Sequence, residues 1–314
     1  MTSQEPLAEL LRYLKAADYQ FTAVTPSTHA KMLARPATGP QELRDIFGWN
    51  RAFQQADVGP NVLELLKNAH ALEECNGRLR SKVRVASLGE DLLLHSAFPT
   101  DDAASVFFGP DTYRFVRFLH DHLPQCGETS WLVDMGAGSG AGAIAAAKVS
   151  SFERLTMVDV NSEALRLAAI NAAVAGLQAD TLISTEIPRG AGLAIANPPY
   201  MMDPAGRSYR DGGELWGGAV AFDWALQALR LLAPAGTMLL YTGAAYVCGE
   251  APLLNQLKIA CSHAGASVAI EEIDPDVFGD DLDQPAYTGV ERIAAVGVVI
   301  KTKLPADPAG ANWI

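Results

Sequence analysis

Long apolar runs are missing from this sequence of 314 residues. No stretch reaches the roughly 18 apolar residues that a membrane-spanning helix needs, and the polar opening MTSQEP does not resemble a signal peptide. Paired cysteines are missing too. Four cysteines are scattered without short spacing, which suits reduced thiols better than a disulfide framework or a zinc site: Cys75, Cys126, Cys248 and Cys261. We therefore expect a soluble protein located in the cytoplasm.

Histidine is scarce as well. Of six histidines, only His120 and His122 lie close together along the chain. They lack cysteine or carboxylate partners at the spacing that metal ligands show. The sequence therefore predicts no metal site.

The charge of the chain is one-sided and unevenly placed. The net charge is −12, from 24 Lys and Arg against 36 Asp and Glu. Residues 1–120 hold 13 of these bases and 14 of these acids, which leaves 11 bases against 22 acids in the remainder. Seven of those acids lie between Glu271 and Asp283. Because an acidic surface repels a phosphate backbone, we do not expect a broad nucleic-acid interface on the C-terminal two-thirds.

The N-terminal third changes from a helical to a strand pattern. Helices are predicted at Pro6 to Ala17, Gln41 to Phe53 and Asn61 to His70. Short strand-like runs follow, separated by turns at Asn76-Gly77 and Gly89-Glu90. Helices followed by a small hairpin sheet predict a winged-helix-like unit.

Four basic residues alternate along one of these strand-like runs. If a single strand holds them, they share one face of the sheet: Arg78, Arg80, Lys82 and Arg84. One interpretation is a solvated strand face. The other is a docking stripe for an acidic or phosphate-bearing partner such as RNA.

From Trp131 onward, short apolar runs alternate with helical stretches rich in alanine and leucine. The runs at 131–135, 155–158, 193–196 and 238–241 predict buried parallel strands that helices cover on both faces. The end of the chain differs, because runs at 267–273 and 292–301 are predicted to pair as a long antiparallel excursion. Hydrophobic residues make up 49% of the chain, which is enough for a sizeable core.

A glycine-rich segment, VDMGAGSGAG, follows the first of these strands and opens a helix. Gly136, Gly138 and Gly140 let the backbone turn tightly and approach a ligand at the carboxyl end of the strand. The spacing is GxGxG rather than GxGxxG, which disfavours a dinucleotide site.

A carboxylate, Asp159, comes just past the second strand, 25 residues after Asp134. At that position a carboxylate can accept hydrogen bonds from both hydroxyls of a ribose. A helix N-cap is the simpler interpretation for Asn161 and Ser162, but it explains Asp159 less well.

The strand at 193–196 runs directly into Asn197-Pro198-Pro199-Tyr200. Proline lacks a backbone donor and fixes φ, so these two prolines end the strand and stiffen the turn. The turn is either a strand terminator without a ligand or a rigid binding element. The glycine loop and Asp159 in the same sheet favour the second interpretation.

In this order and at these strand ends, the two motifs resemble those of class I S-adenosylmethionine-dependent methyltransferases. More narrowly, they resemble the branch with an Asn-Pro-Pro-Tyr motif, which includes release-factor glutamine N-methyltransferases and enzymes that methylate exocyclic amines of nucleic-acid bases. The resemblance covers residues 106–301 and includes FFGPDTYRFVRFL upstream of the first strand. It implies a doubly wound α/β fold, with a seven-stranded mostly parallel sheet and an antiparallel last strand. It also implies S-adenosylmethionine as cofactor and S-adenosylhomocysteine as product.

The resemblance further implies roles for individual residues. Asn197 and the Pro198 carbonyl would accept N–H groups of a planar nitrogen and aim its lone pair at the methyl group, while Tyr200 would stack on the acceptor. Cofactor contacts are expected from Asp134, Gly136, Ala137, Gly138, Gly140, Asp159, Val160, Thr112 and Asn197, with Thr185 or Glu186 near the adenine. Acceptor contacts are expected from Phe108, Tyr113, Pro199, Tyr209 and Arg210. The last two lie with Asp211 on a predicted mobile lid, whose polar groups either contact the acceptor or form a solvated loop. A capped helix explains Asp111 and Thr112 equally well.

Two domains and one principal activity are therefore predicted. Residues 1–104 would form a helical and hairpin substrate-recognition domain, and residues 105–314 the methyltransferase domain. The expected acceptor is a planar amide or amine nitrogen of a protein glutamine or a small molecule; the alternative is an exocyclic amine of an RNA or DNA base docked through the N-terminal domain. A nicotinamide-dependent oxidoreductase would leave Asn-Pro-Pro-Tyr without a role, and a cofactor-binding module without turnover would leave it unused.

Overall fold

The chain was analysed as a computed structural model, which describes residues 5–36, 41–127 and 129–303. Before residue 100, the described residues form three α-helices and two β-hairpins: α1 (Glu5–Ala16), α2 (Pro26–Leu33), α3 (Pro60–Asn68), β1 (Leu72–Cys75), β2 (Arg78–Ser81), β3 (Val83–Leu88) and β4 (Asp91–Ser96). The strands pair antiparallel as two separate hairpins, β1 with β2 and β3 with β4. The winged-helix arrangement stays a prediction. Within the described ranges, no helix is long and apolar enough to cross a membrane.

The prediction of a helix from Gln41 to Phe53 is wrong. A single helical turn at Arg44–Gly48 takes its place, and Asn50 then adopts a left-handed conformation with φ 55°. The buried side chain of Asn50 donates to the Ser81 carbonyl and accepts from the Phe98 N–H, both at 2.8 Å. These tertiary hydrogen bonds override the local helical pattern.

The expectation that four basic residues share one strand face is also wrong. The strand breaks at Lys82, so Arg78 and Arg80 belong to β2 while Arg84 belongs to β3 in the other hairpin. Lys82 is exposed, whereas Arg84 is 6% exposed. Because the break interrupts the period of two, there is no continuous basic stripe.

Arg84 instead lies in a buried basic cluster with His29 and His95. Its Nε donates to the Ser96 carbonyl at 2.8 Å, and its Nη1 lies 3.5 Å from His29 Nδ1. Burial lowers the pKa of His29 to about 4 and the pKa of Arg84 to about 10, and it holds the pKa of His95 well below its ordinary value. The charge of Arg84 adds to burial in both histidines. Both imidazoles are therefore neutral at pH 7.

A seven-stranded sheet and the helices that flank it form the described chain from residue 110 onward. Its elements are α4 (Pro110–His122), β5 (Trp131–Met135), α5 (Ala141–Val149), β6 (Arg154–Asp159), α6 (Ser162–Val174), β7 (Asp180–Ile183), β8 (Leu193–Ala196), α7 (Ala219–Leu231), β9 (Thr237–Tyr246), α8 (Pro252–Ala264), β10 (Ser267–Asp274) and β11 (Arg292–Lys301). The strand order is β10-β11-β9-β8-β5-β6-β7, with β5 to β9 parallel and β11 antiparallel to both of its neighbours. The predicted doubly wound sheet with an antiparallel last strand is confirmed.

The winding of the sheet reverses between β5 and β8. From β5 the chain continues to β6 and β7 on one side, and it then returns to β8 and β9 on the other. Met135 pairs with Ala196, so the glycine loop after β5 and the Asn-Pro-Pro-Tyr turn after β8 leave the sheet side by side. Doubly wound sheets bind their ligands at such a reversal, outside the carboxyl ends of the strands.

The N-terminal elements pack on α6. Ala164, Leu167 and Ile170 of α6 share an apolar cluster with residues of α1 and α3. The buried amide of Asn171 exchanges two hydrogen bonds with the Leu94 backbone, at 2.9 and 3.0 Å, and donates to the Ser139 carbonyl at 2.9 Å. One side chain thus joins β4, α6 and the glycine loop. The division into two domains at residue 104 stays a prediction.

Candidate functional site

A cavity of about 320 Å³ opens at the reversal of the sheet. The glycine loop, the ends of β6 and β8, the segment before α4, the helix α7 and the loop after Asn-Pro-Pro-Tyr all contribute to its lining. The structure therefore brings together most of the residues expected from the sequence: Thr112, Asp134, Gly136, Ala137, Gly138, Asp159, Val160, Thr185, Asn197, Pro199 and Tyr209.

The glycine loop crosses from β5 to β6. The N–H groups of Gly136 and Ala137 both donate to the Val158 carbonyl, at 2.8 and 3.0 Å. Gly138, with φ 54°, adopts the left-handed conformation that favours glycine. A Cβ added to Gly138 would meet only the Gly136 carbonyl oxygen within 4 Å, at 3.9 Å. The backbone at Gly138 thus leaves open space in which a ligand can approach it.

Asp134 lies at the end of β5, almost fully buried. Its Oδ2 accepts a hydrogen bond from the Ala143 N–H in the first turn of α5, at 2.8 Å. Burial raises the pKa of Asp134 to about 7, the bond from Ala143 opposes this, and the nearby charge of Asp159 adds to it. A positive charge placed in the cavity would favour the ionised carboxylate.

Asp159 holds the glycine loop from the neighbouring strand. Its Oδ2 accepts from the Gly138 N–H and its Oδ1 from the Asn161 N–H, each at 2.9 Å. Burial raises the pKa of Asp159, and these backbone hydrogen bonds oppose the shift. Asn161 is the N-cap of α6 and accepts from the Glu163 N–H at 2.9 Å. Since Asn161 caps the helix, the Asp159 carboxylate is left to fix the loop and to face the cavity.

The Asn197-Pro198-Pro199 turn presents two hydrogen-bond acceptors without partners. In the described part of the chain, neither the side-chain amide of Asn197 nor the Pro198 carbonyl takes part in a hydrogen bond. Asn197 and Pro199 line the cavity, whereas Pro198 is buried. The two prolines stiffen the turn, and the Asn197 amide lines the cavity without a hydrogen-bond partner in the described chain.

Tyr200 lies outside the cavity, unlike the stacking position expected from the sequence. Its ring packs edge-on against Tyr241 and Phe278, with centroid distances of 6.4 and 5.9 Å, and a Cβ on Gly243 would overlap it. Its buried hydroxyl lies beside Asp111, which accepts a hydrogen bond from Tyr241 at 2.8 Å. Tyr200 thus anchors the turn to the sheet and presents no face to the cavity.

Other residues expected at the site do not line the cavity either. Phe108 is a core residue, 2% exposed. The Tyr113 hydroxyl donates to the Ser87 carbonyl at 3.1 Å, and Arg210 forms an ion pair with Asp281 at 2.7 Å. The residues in this group are Phe108, Tyr113, Gly140, Pro198, Tyr200, Arg210 and Glu186.

The loop at 201–218 is fastened against the segment at 100–107. The Tyr209 hydroxyl donates to the Thr100 carbonyl, and its ring lies parallel to that of Phe107, with a 6° interplanar angle and 6.2 Å between centroids. Arg207 makes two hydrogen bonds with Asp203, at 2.7 and 2.6 Å. The loop contributes Ser208, Tyr209 and Asp211 to the cavity wall, and its expected mobility stays a prediction.

Several lining residues were not expected from the sequence. Trp224 and Val220 reach the cavity from α7, and others come from the two loops, among them Ser105, Val106, Phe107 and Ser208. Trp224 packs directly over Gly136, because a Cβ added to Gly136 would lie 2.5 Å from the Trp224 ring. A tryptophan in an alanine-rich helix is the signal that was present.

Replacing Gly136 with alanine is expected to lower the free energy of unfolding by more than about 2 kcal/mol, since it combines left-handed strain with a collision. Gly176→Ala is the matched control: Gly176 has φ 80° and nothing within 4 Å of an added Cβ. It isolates the strain, which is about 1 to 2 kcal/mol. Urea unfolding of both variants measures the difference, and equal losses would show that the Trp224 contact is unimportant.

Residues 105–216 match the family model of the methyltransferase small domain. Among solved structures, Trm5b from Pyrococcus abyssi has a TM-score of 0.50 at 17% identity, over 87% of this chain and 80% of that one. M. jannaschii TYW2 in complex with AdoMet has a TM-score of 0.46 at 14% identity, over 70% and 87% of the two chains. A methyltransferase from Pyrococcus furiosus has a TM-score of 0.42 at 18% identity, over 64% and 89%. No curated protein sequence matches the chain.

The family match and the class I fold confirm two expectations from the sequence. The protein is an S-adenosylmethionine-dependent methyltransferase, and S-adenosylmethionine is its cofactor. The chemistry of the cavity fits this ligand, which carries a sulfonium and an ammonium group. Three carboxylates line the cavity, from Asp134, Asp159 and Asp211, and among the described lining residues there is no lysine, arginine or histidine.

Proposed function

We propose that this enzyme methylates a planar amide or amine nitrogen, of a protein glutamine or of a small molecule, and that it belongs to the Asn-Pro-Pro-Tyr branch. The observation that carries this proposal is the pair of unengaged acceptors at Asn197 and Pro198, held on a rigid turn next to the glycine loop. A cytoplasmic location, where the four free cysteines stay reduced, is part of the same proposal.

Such a nitrogen is a poor nucleophile because its lone pair is delocalised into the neighbouring π-system. The Asn197 side-chain oxygen accepts one N–H and the Pro198 carbonyl accepts the other, which leaves the lone pair directed into the cavity. When bound, S-adenosylmethionine supplies an electrophilic methyl group on a positively charged sulfur. The two prolines keep the acceptor atoms in place, so catalysis consists mainly of positioning and electrostatic stabilisation.

The cofactor contacts in this proposal follow the cavity lining. Asp134 and the glycine loop bind the methionine part, Asp159 accepts the ribose hydroxyls, and Val160 and Thr185 contact the adenine. Val160 is 53% exposed at the rim, an apolar surface that a purine would cover. Trp224 supports this arrangement by packing on Gly136.

Cofactor affinity is expected to rise with pH up to about 7. The pKa of Asp134 is about 7 in the ligand-free protein because the carboxyl is buried, and the ammonium of the ligand favours its ionised form. Below this pH the carboxyl must lose a proton for the ligand to bind, so the affinity falls by about tenfold per pH unit. Calorimetry in buffers of different ionisation enthalpy measures the released proton, and Asp134→Asn is expected to remove the dependence. An affinity that stays constant from pH 5.5 to 8 would exclude this role for Asp134.

A second candidate acceptor is an exocyclic amine of an RNA or DNA base. A groove of about 480 Å³ in the N-terminal elements favours it, because four arginines line this groove: Arg35, Arg51, Arg78 and Arg80. The last three also form ion pairs, with Asp45, Asp57 and Glu73. Binding through phosphates would weaken steeply with salt, whereas binding of a glutamine or small molecule would not.

Transfer of labelled methyl groups to separated protein, RNA and small-molecule fractions of an extract tests the proposal. We expect the wild-type enzyme to label the protein or small-molecule fraction, and we expect this label to be absent with Asn197→Ala. Label confined to RNA, and lost with Arg80→Glu, would establish the second candidate instead.

A further inference from the structure

One carboxylate of the cavity has no role in the cofactor contacts proposed above. Asp211 lines the cavity together with Asn197, Phe107 and Tyr209. Its position is fixed by the backbone, because the Met201 N–H donates to the Arg210 carbonyl at 3.0 Å and the Gly212 N–H donates to the Met201 carbonyl at 2.7 Å. These two bonds hold Asp211 beside the Asn-Pro-Pro-Tyr turn.

The charge of Asp211 is not neutralised by its neighbours. Its Oδ1 accepts from the backbone N–H groups of Gly213 and Asp203, at 3.2 and 3.4 Å. The adjacent arginines are engaged elsewhere: Arg207 pairs with Asp203 at 2.6 Å, and Arg210 pairs with Asp281. Among the described side chains, no cation lies within 4 Å of the Asp211 carboxylate.

The remainder of the cavity does not neutralise it either. The ammonium and ribose groups of the cofactor are assigned to Asp134 and Asp159. At the acceptor end this leaves Asp211 as a carboxylate without a cationic partner in a partly enclosed site, where electrostatic interactions are stronger than in water. A phosphate or carboxylate group would be repelled there, whereas an N–H donor or a cation would be attracted.

Two aromatic rings share the cavity lining with this carboxylate. The Phe107 and Tyr209 rings are parallel, and the Arg207 guanidinium lies 5.8 Å from the Tyr209 centroid. The charge of Arg207 is offset by Asp203 and by Asp101 at 3.6 Å. Aromatic faces bind planar and cationic groups through stacking and cation–π attraction.

We propose that Asp211, Phe107 and Tyr209 form an acceptor subsite that selects a planar nitrogen group which is cationic or neutral, such as an amidinium, guanidinium or primary amide. The subsite rejects acceptors that carry an anionic group next to this nitrogen. This proposal deepens the proposed function, because it rests on Asn197 as the point at which the nitrogen is held.

Three probes of one shape and different charge test the subsite: benzamidinium, benzamide and benzoate. Each is titrated into protein saturated with S-adenosylhomocysteine, which lacks the sulfonium charge. Benzamidinium is expected to bind tightest, benzamide more weakly, and benzoate not measurably. Asp211→Asn is expected to weaken benzamidinium by about tenfold or more and benzamide by less than about threefold.

Asp121→Asn is the matched control, an exposed aspartate on α4 that leaves all affinities unchanged. The affinity for S-adenosylhomocysteine is expected to change by less than about twofold in both variants. The subsite is excluded if benzoate binds as tightly as benzamide, or if no probe binds the protein saturated with S-adenosylhomocysteine. It is also excluded if Asp211→Asn weakens the binding of S-adenosylhomocysteine and leaves that of benzamidinium unchanged. Failure of the proposed function would be seen differently. Methyl transfer to an atom other than nitrogen would contradict the proposed function, but it would not change the affinities of the three probes.

Discussion

Replacing Asp159 with alanine is expected to weaken the binding of S-adenosylmethionine and S-adenosylhomocysteine by about 100-fold or more. Two losses combine in this variant. The Gly138 and Asn161 N–H groups lose the carboxylate that fixes the glycine loop, and the ribose hydroxyls lose their acceptor. Isothermal titration of both ligands measures the effect.

Two further variants interpret that result. Asp159→Asn keeps one acceptor oxygen without the charge, so its affinity is expected to lie between those of the wild type and Asp159→Ala. Asp180→Ala removes an exposed carboxylate at the start of β7, where it pairs with Arg154 at 3.3 Å, and is expected to bind like the wild type. An Asp159→Ala affinity within about threefold of the wild type would remove Asp159 from the cofactor site.

The second large effect is expected at Asn197. Asn197→Ala should lower kcat by about 100-fold to 1000-fold, because it removes an acceptor that orients the reacting nitrogen. The fold should not change, since within the described structure the Asn197 side chain makes no hydrogen bond that would be left unsatisfied. Single-turnover methyl transfer, with S-adenosylhomocysteine affinity measured alongside, separates the chemical step from cofactor binding.

Asn197→Asp keeps the side-chain oxygen and is expected to recover part of the rate. Asn255→Ala, at an exposed site of α8 where the amide bonds to Glu250, serves as the control and should react like the wild type. If Asn197→Ala keeps the wild-type kcat, the nitrogen is held by other groups and the proposed role of the turn is wrong.

Contiguous motifs made the sheet and much of the cofactor site predictable from the sequence. The glycine loop, Asp159 and Asn197 each directly follow an apolar run, and the carboxyl ends of parallel strands meet at one edge of a sheet. Once the runs are recognised as parallel strands, these three motifs must converge. The observed pairing of Met135 with Ala196 shows that convergence.

Side-chain direction was not predictable in the same way. Tyr200 is adjacent to a cavity-lining residue in sequence, but its ring turns toward Gly243 and Phe278, which lie more than 40 residues downstream. Trp224 and Ser208 reach the cavity from a helix and a loop that carry no motif of their own. Such contacts depend on how distant elements pack, and sequence spacing alone does not specify that.

The prediction of a basic strand face at residues 78–84 is wrong for a local reason. The period of two at residues 78–84 holds only if one strand is continuous, but the Lys82 N–H donates to the Ala71 carbonyl at 2.8 Å, at the point where the chain passes from one hairpin to the other. Arg84 then turns into the interior beside His29. Alternating charge predicts a shared face only within a single strand.

The enzyme is proposed to transfer its methyl group to nitrogen. The most direct test incubates the wild-type protein with carbon-13-labelled S-adenosylmethionine and an extract, purifies the labelled product, and identifies the atom bonded to the methyl group by NMR. The proposed function predicts a carbon–nitrogen bond at an amide or amine. A methyl group on oxygen, carbon or sulfur, or no transfer to any fraction by protein that binds the cofactor, would contradict it.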